Sequence, residues 1–581
     1  MNIFSRIRLP KLGKNNFDLS YENKFTAQMG QLIPFTVQEC VPGDQFEMSA
    51  NVLVRFNPLI APMMHRVDVY THYFFVPNRL VWDEFKDFIT GGDDGTLKPE
   101  VPYFTMRQLL LHCRKSGPGT GEFLNYHSII PGSLLDYLGV NIGLTQDDLT
   151  ELFPNRDSIL NSSIPWLDKP LDAQILRAYK LIYDEYYRNQ NTQPLNDFDR
   201  SSGPIFNDDF THDLDVFSDL FLIKYRNWGL DYFTSALPFS QRGPETLIPI
   251  NGVSQVNYTP TGKADNVVDE NGKPITLDKL GSSANSFCDT SMYGQTAGTG
   301  LTDGSQGSTQ VSIDNSAKLS IDYENANITV RELRTAERIQ EFLERSARGG
   351  SRYIEQIKAH FGVFSSDTRV QRPEYLGGGK QVVQISSVDQ TSATDLTGST
   401  TPLGSFAGKA ISGGTSNQFR TKEIEEHGYI IGIMSVLPKG GYHQGLPRKF
   451  TRMDKFDYFF PEFQNIGEQE IKMHELYFGE KNAGNPEEGF GYIPRYSEYK
   501  VNQDEVHGDF KTTLSFWHLN RQFANPPRLN GGFSSTHNTI RNDIFAVNTD
   551  ADGNAVPNLL IDVYNNIKAR RSMLYYDNPS L

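Results

Sequence analysis

Gln45–Phe56 reads QFEMSANVLVRF, and its parity sets the class of the fold. Phe46, Met48, Ala50, Val52, Val54 and Phe56 fall on one parity, and Gln45, Glu47, Ser49, Asn51 and Arg55 on the other, with Leu53 the apolar exception. Successive side chains of a strand point to opposite faces, so this stretch is a strand with one face in a core and one in water. Residues 67–76 form a second strand, β-branched and aromatic throughout and closed by Pro77. Its Tyr73-Phe74-Phe75 places apolar groups on both faces, so both faces need a cover. Toward the far end, residues 429–437 read as a buried strand and residues 506–519 as an alternating one. First and last strands hundreds of residues apart suit a double Greek-key arrangement with long insertions better than a simple meander.

The interior of the chain has a different texture. Residues 147–153 and 171–187 read as helices, the second with Ile175, Ala178, Tyr179, Ile182 and Tyr186 on one side. Residues 243–320 and 377–418 are rich in Gly, Ser, Thr, Asn and Asp without sustained period, so they are expected as polar insertions with no core of their own. Between them, Thr329 and Glu332 have capping-box spacing. Leu333, Ala336, Ile339, Phe342, Leu343 and Ala347 then recur at helical steps. Gly349-Gly350 ends that helix, and Ser351 is expected to cap a second one carrying Ile354, Ile357 and Phe361. Arg372-Pro373 forces an extended path, and Gly377-Gly378-Gly379 is expected to release the chain into a loop.

Composition excludes several classes of function. The 581 residues carry a formal net charge of −15, which argues against a chain whose main work is wrapping nucleic acid. Positive charge is instead concentrated near the ends: Arg6, Arg8, Lys11 and Lys14 at one, Lys568, Arg570 and Arg571 at the other. The 49 Gly and 31 Pro imply many turns and long loops. Cys40, Cys113 and Cys288 form no Cys-x-x-Cys pair, so neither a disulfide framework nor a zinc site is expected. The first residues, MNIFSRIRLPK, lack the apolar core of a secretory signal, and residues 430–437 are too short to span a bilayer. Synthesis in a reducing cytoplasm follows as the expectation.

Catalytic motifs fail on spacing. Gly377-Gly378-Gly379-Lys380 lacks the phosphate-loop pattern, no His-Glu-x-x-His or Gly-x-Ser-x-Gly occurs, and His72 sits alone within a strand. Asp147-Asp148 and Asp208-Asp209 read as turn or cap residues, with a structural divalent cation the weaker alternative. No catalytic, cofactor-binding or metal-ligating residue is expected.

Long ordered blocks carry a resemblance instead. ARGGSRYIEQIKAHFGVFSSD (347–367) and RVQRPEYLGG (369–378), with NFDLS (16–20), VPGD (41–44), RFNPLIAP (55–62), MHRVDVYTHYFFVPNRLVWDEFKDFITGG (64–92), DYFTSALP (231–238) and residues 492–510, resemble the major capsid proteins of the small icosahedral single-stranded DNA phages, the Microviridae, most of all the gokushoviruses. The resemblance implies a mainly β fold, an eight-stranded antiparallel jelly-roll β-barrel with long inter-strand insertions containing short helices and polar loops. Within a single capsid subunit the blocks divide it into an N-terminal arm and first barrel strands (1–92), a helix-containing insertion (93–242), a candidate threefold surface protrusion (243–320), a helical elbow (321–376), a polar loop insertion (377–420) and C-terminal barrel strands with a tail (421–581). It further implies self-assembly into a T=1-like shell around a circular single-stranded DNA genome. The implied partners are an internal scaffolding protein, a DNA pilot protein, a small basic DNA-binding protein and a host-cell surface receptor. The terminal cations become candidate DNA-facing groups, and Arg345, Arg348 and Arg352 candidate subunit-interface groups through carboxylate pairing. A jelly-roll carbohydrate-active enzyme or lectin is the alternative that the same architecture allows.

Overall fold

The computed structural model describes residues 13–116, 122–124, 129–140, 143–154, 156–206, 219–244, 256–259, 267–268, 312–313, 318–321, 330–389, 406–415, 418–479, 487–547 and 556–575. The chain divides into a unit made of residues 1–242 and 344–581 and a second unit of residues 243–343.

The larger unit is built from antiparallel strands: β1 (Asn15–Asp18), β2 (Tyr21–Ala27), β3 (Ile33–Cys40), β4 (Gln45–Phe56), β5 (Val67–Pro77), β6 (Glu374–Val382), β7 (Gln384–Asp389), β8 (Phe406–Thr415), β9 (Phe419–Arg420), β10 (Gly428–Pro438), β11 (Glu468–Lys472), β12 (Gly489–Pro494) and β13 (Leu559–Arg571). A seven-stranded sheet runs β1-β13-β4-β8-β7, with β2 beside β13 and β9 beside β4; a four-stranded sheet runs β6-β5-β10-β3. β4 buries Phe46, Met48, Val52 and Val54 and exposes Asn51 and Arg55, as its parity predicts. It pairs with β13 from Phe56↔Leu559 to Gln45↔Arg570, and β13 alternates in step, with Leu559, Ile561, Val563 and Ile567 inward. The two sheets share one core, in which those side chains meet Phe35, Tyr73, Ile430 and Met434.

The four-stranded sheet is covered on its other face as well. Helices α1 (Met106–Cys113), α2 (Gln146–Leu152) and α3 (Gln174–Ile182) contribute Leu109, Leu110, Leu149, Leu176, Tyr179 and Ile182 to a second core against Phe74, Val76, Ile431 and Ile433. Tyr73 and Phe75 thus serve one core and Phe74 the other. β10 is buried at every position for the same reason. Asp148 acts as a cap, its carboxylate accepting from the Thr145 amide at 2.8 Å; Asp208 and Asp209 lie outside the described residues. Helix α3 continues as a π-helical turn over Tyr183–Tyr187, and Lys180 on it is buried between Asp184 (3.0 Å) and Asp219 (2.8 Å), the pairing a buried charge needs.

Four expectations differ from the structure. Gly377-Gly378-Gly379 is not a loop: it lies in β6, registered on Tyr73, His72 and Thr71 after a bulge. A side chain at Gly378 would collide with the Thr71 carbonyl oxygen, so glycine is what lets the strands approach. The surrounding 377–418 stretch is likewise not one polar loop, because β6 to β8 fall within it; residues 390–405 and 416–417 lie outside the described residues. Residues 506–519 form no strand. Gly508, at φ +64°, turns the chain into a short 3-10 turn over Gly508–Lys511, followed by another over Ser515–Trp517. Finally, eight strands do not close into a barrel: among the described strands the two large sheets are open, and β11 and β12 pair apart from them.

In the second unit, Val256–Thr259 pairs with Lys318–Ile321, and Val267–Val268 with Ser312–Ile313, so the chain runs out and back as nested antiparallel segments. Most of the candidate protrusion, residues 243–320, lies outside the described residues.

Candidate functional surfaces

The sheet pairing gathers the basic residues of the two chain ends at one corner of the seven-stranded sheet. Asn15–Asp18 pairs with Lys568–Arg571, so the first strand brings Lys14 beside the last. Two of the four described cations are then held by the chain itself. Lys14 Nζ donates to the Gly43 carbonyl and pairs with Glu423, both at 2.8 Å. Arg571 pairs with Asp44 at 3.2 Å, donates to the Glu39 carbonyl at 2.6 Å and lies 5.4 Å over the Phe46 ring. Asp44 is fully enclosed; burial pushes its carboxyl up, while the Val41 amide, Arg571 and Lys14 pull it back. Arg571 therefore works mainly as the counter-charge of a buried carboxylate. Lys568 and Arg570 alternate outward from β13, and Arg420 on β9 is exposed across β4 from them. Together with Phe17, Gln45 and Glu47 they line a shallow cleft of about 310 Å³. Arg6, Arg8 and Lys11 lie outside the described residues.

Two of the three elbow arginines, Arg348 and Arg352, bond within their own chain. Helix α4 spans Val330–Gly349 and ends where Gly350 takes φ +104°; α5 spans Tyr353–Phe361. Thr329 lies outside the described residues. Arg352, not Ser351, is the N-cap of α5: its amide donates to the Glu355 carboxylate at 3.2 Å, while the Ser351 amide donates to Gln190 Oε1 at 2.6 Å. The Arg352 guanidinium donates to the Asp184 and Arg188 carbonyls beyond α3 and pairs with Glu355 at 3.3 Å. Arg348 bonds to Glu468, whose side chain is 1% exposed. Burial raises the Glu468 pKa, and Arg348 opposes that shift. Arg345 is exposed. The apolar stripe of α4 is exposed too, at Leu333, Ile339 and Phe342.

The remaining sequence candidates are packing groups. His72 Nδ1 lies 2.7 Å from the Tyr187 hydroxyl, and burial with the nearby Arg226 lowers its pKa to about 4. Lys380 pairs with Asp68 at 2.9 Å. Cys40 is buried, which pushes its thiol up. Among the described residues no group of three or more His, Cys, Asp or Glu side chains is placed to hold a metal ion, and no helix is long and apolar enough to cross a membrane.

One surface escaped the sequence reading. Residues 448–466 leave β10 behind as three short 3-10 turns and expose Phe450, Met453, Phe456, Tyr458, Phe459, Phe460 and Ile466. The signal was present as KFDYFF at 455–460, aromatic density without any strand or helix period to bury it.

Comparison with known proteins supplies what surface chemistry alone leaves open. Residues 5–107 and 162–581 match the family model described as "Capsid protein (F protein)". The chain is 32% identical to Capsid protein VP1 of Chlamydia phage 1, with 100% of this chain and 98% of that protein aligned. It is 29% identical to Capsid protein VP1 of Bdellovibrio phage phiMH2K, over 99% and 97% of the two chains. With Capsid protein VP1 of Spiroplasma virus 4 the identity is 28% over 100% and 97%. These relatives are structural proteins rather than enzymes, and the match runs through both sheets and the elbow. The chain therefore belongs to the F-type capsid protein family of the Microviridae, with gokushovirus-like relatives.

Proposed function

We propose that this capsid protein is the repeated subunit of a T=1-like icosahedral shell around a circular single-stranded DNA genome, and that its body is a jelly roll. The strand order carries the proposal. Counting β2, β3, β4, β5, β6, β8, β10 and β13 as strands one to eight, one sheet runs one-eight-three-six and the other two-seven-four-five. Strands β2 to β5 alternate between the sheets, β5 and β6 pair within one, and β6, β8, β10 and β13 alternate again, the connectivity of two interleaved Greek keys. Such a body buries its own core and leaves loops free to meet neighbours, and repeated symmetric contacts then close a shell.

The outward cations of β13 and β9 are the groups this reading turns toward the genome, while the −15 net charge leaves most phosphate neutralisation to a small basic DNA-binding protein. A scaffolding protein and a DNA pilot protein complete the set of internal partners, with assembly in the host cytoplasm. Residues 243–320 are the segment proposed to project and meet a host-cell receptor, supported by their polar, aperiodic composition and by the out-and-back pairing at their base.

Electron microscopy of the chain co-expressed with the other proteins of its phage tests the core of the reading. Closed, uniform shells are the expected result; a chain that stays monomeric under those conditions would overturn it. Deleting the centre of 243–320 is expected to spare shells and abolish adsorption, and normal adsorption would remove the attachment role.

A further inference from the structure

We infer that residues 448–466 form a subunit–subunit contact, docking against a second copy of this chain; this rests on the shell-forming reading above and names one surface that performs it. The loop is exposed yet ordered by its own bonds. Asp457 accepts from the Met453 and Asp454 amides at 2.9 and 2.8 Å, and those two bonds hold its carboxyl below the usual range. Phe459 meets Tyr496 edge-on at 4.9 Å, and Phe456 meets Phe463 at 5.7 Å. Around that scaffold Phe450 is 62% exposed and Met453 87%. The loop backbone and the paired rings are already in place, which lowers the ordering cost of docking, and aromatic and methionine side chains are enriched in interface centres.

Charge selects the occupant. The loop carries four cations and three acids. Three of the cations are already engaged by the chain's own carboxylates: Arg448 with Glu475 at 3.5 Å, Lys449 with Glu505 at 3.3 Å and Arg452 with Glu498 at 3.9 Å. Arg452 also lies 4.3 Å over the Tyr499 ring. A single-stranded nucleic acid would need cations free to displace its counterions, whereas here the aromatic faces stand out, three of the four cations are paired, and the fourth, Lys455, lies 4.8 Å over the Phe456 ring. A nearly neutral, aromatic patch fits an apolar protein surface, and the surface that a capsid chain must meet repeatedly is another copy of itself.

The test is the pair Phe450→Glu and Met453→Glu, made together in the full-length chain and co-expressed with the other phage proteins beside the unaltered chain. Both positions are exposed, so the variant is expected to keep its circular dichroism and melting temperature. Shell yield by sedimentation is expected to fall roughly tenfold or more, because charging an interface anchor changes affinity by at least that factor. A photo-crosslinking amino acid at Met453 supplies a measurement independent of folding. It is expected to yield a product of twice the chain mass from shells and none from dilute subunits. Shells from the unaltered and charged chains alike, shells that form but lack DNA, or a crosslink only to another protein would each overturn the inference while leaving the shell-forming reading intact. Absence of shells from the unaltered chain would bring down both.

Discussion

At the scale of single residues, the departures from expectation have local causes. Gly378 reads in sequence as part of a flexible triplet, yet its lack of a side chain is what allows β6 to lie against Thr71 and His72. Gly378→Ala is expected to destabilise the chain by about 1–3 kcal/mol, the usual cost of forcing volume into a filled space. Gly413→Ala is the matched control, since its new methyl would find only Leu53 Cδ1 at 3.9 Å. Thermal melts of the two variants side by side decide the point, and equal melting temperatures would contradict the packing role of Gly378. The arginines teach a related lesson. Arg348 and Arg352 have the chemistry expected of carboxylate and carbonyl partners, but the partners bonded here sit in the same chain, brought near by tertiary folding that linear spacing does not display.

At the scale of elements, legibility followed how many faces each element buries. β4 was readable because one face meets the core and the other water, so its period shows. β10 was readable as an unbroken apolar run because both of its faces are covered. β6 and β8 were not, because EYLGGGKQV and FAGKAISGGT carry the glycines of a loop while their pairing is dictated by β5 and β4. Residues 506–519 erred in the opposite direction, an alternation interrupted by a left-handed glycine. The covered faces of β10 make a quantitative contrast. Ile431→Ala, at 0% exposure, is expected to cost about 2–5 kcal/mol. Leu560→Ala on the outer face of β13, at 47% exposure, is expected to stay within about 0.5 kcal/mol. Chemical denaturation midpoints measure both, and similar losses at the two sites would mean that the face of β13 bearing Leu560 is not a solvent face of the folded subunit.

At the scale of the whole molecule, the sequence blocks point to a capsid subunit without any strand order, whereas the loop at 448–466 shows in sequence only as aromatic density, because exposure is a property of the folded surface. The terminal cations divide in the same way. Lys568→Gln with Arg570→Gln is expected to lower the DNA content of purified particles while leaving subunit stability unchanged, because both side chains point outward. Arg571→Gln is expected to lower subunit stability first, since it strips the counter-charge from enclosed Asp44. Nucleic-acid absorbance of particles and melting of free subunits separate the two effects; unchanged DNA content in the double variant would remove Lys568 and Arg570 from the genome-facing set.

The position of β13 has a consequence in time. It is the last of the described strands, and it lies between the first of them, β1 and β2, and β4. A ribosome therefore releases β1 to β10 before the strand that joins them exists, and until residues 559–571 emerge the seven-stranded sheet holds an open slot with unpaired edges on both sides. Chains lacking residues 559–571 would keep that slot, so it is the arrival of β13 that joins the first strands to β4 in one sheet.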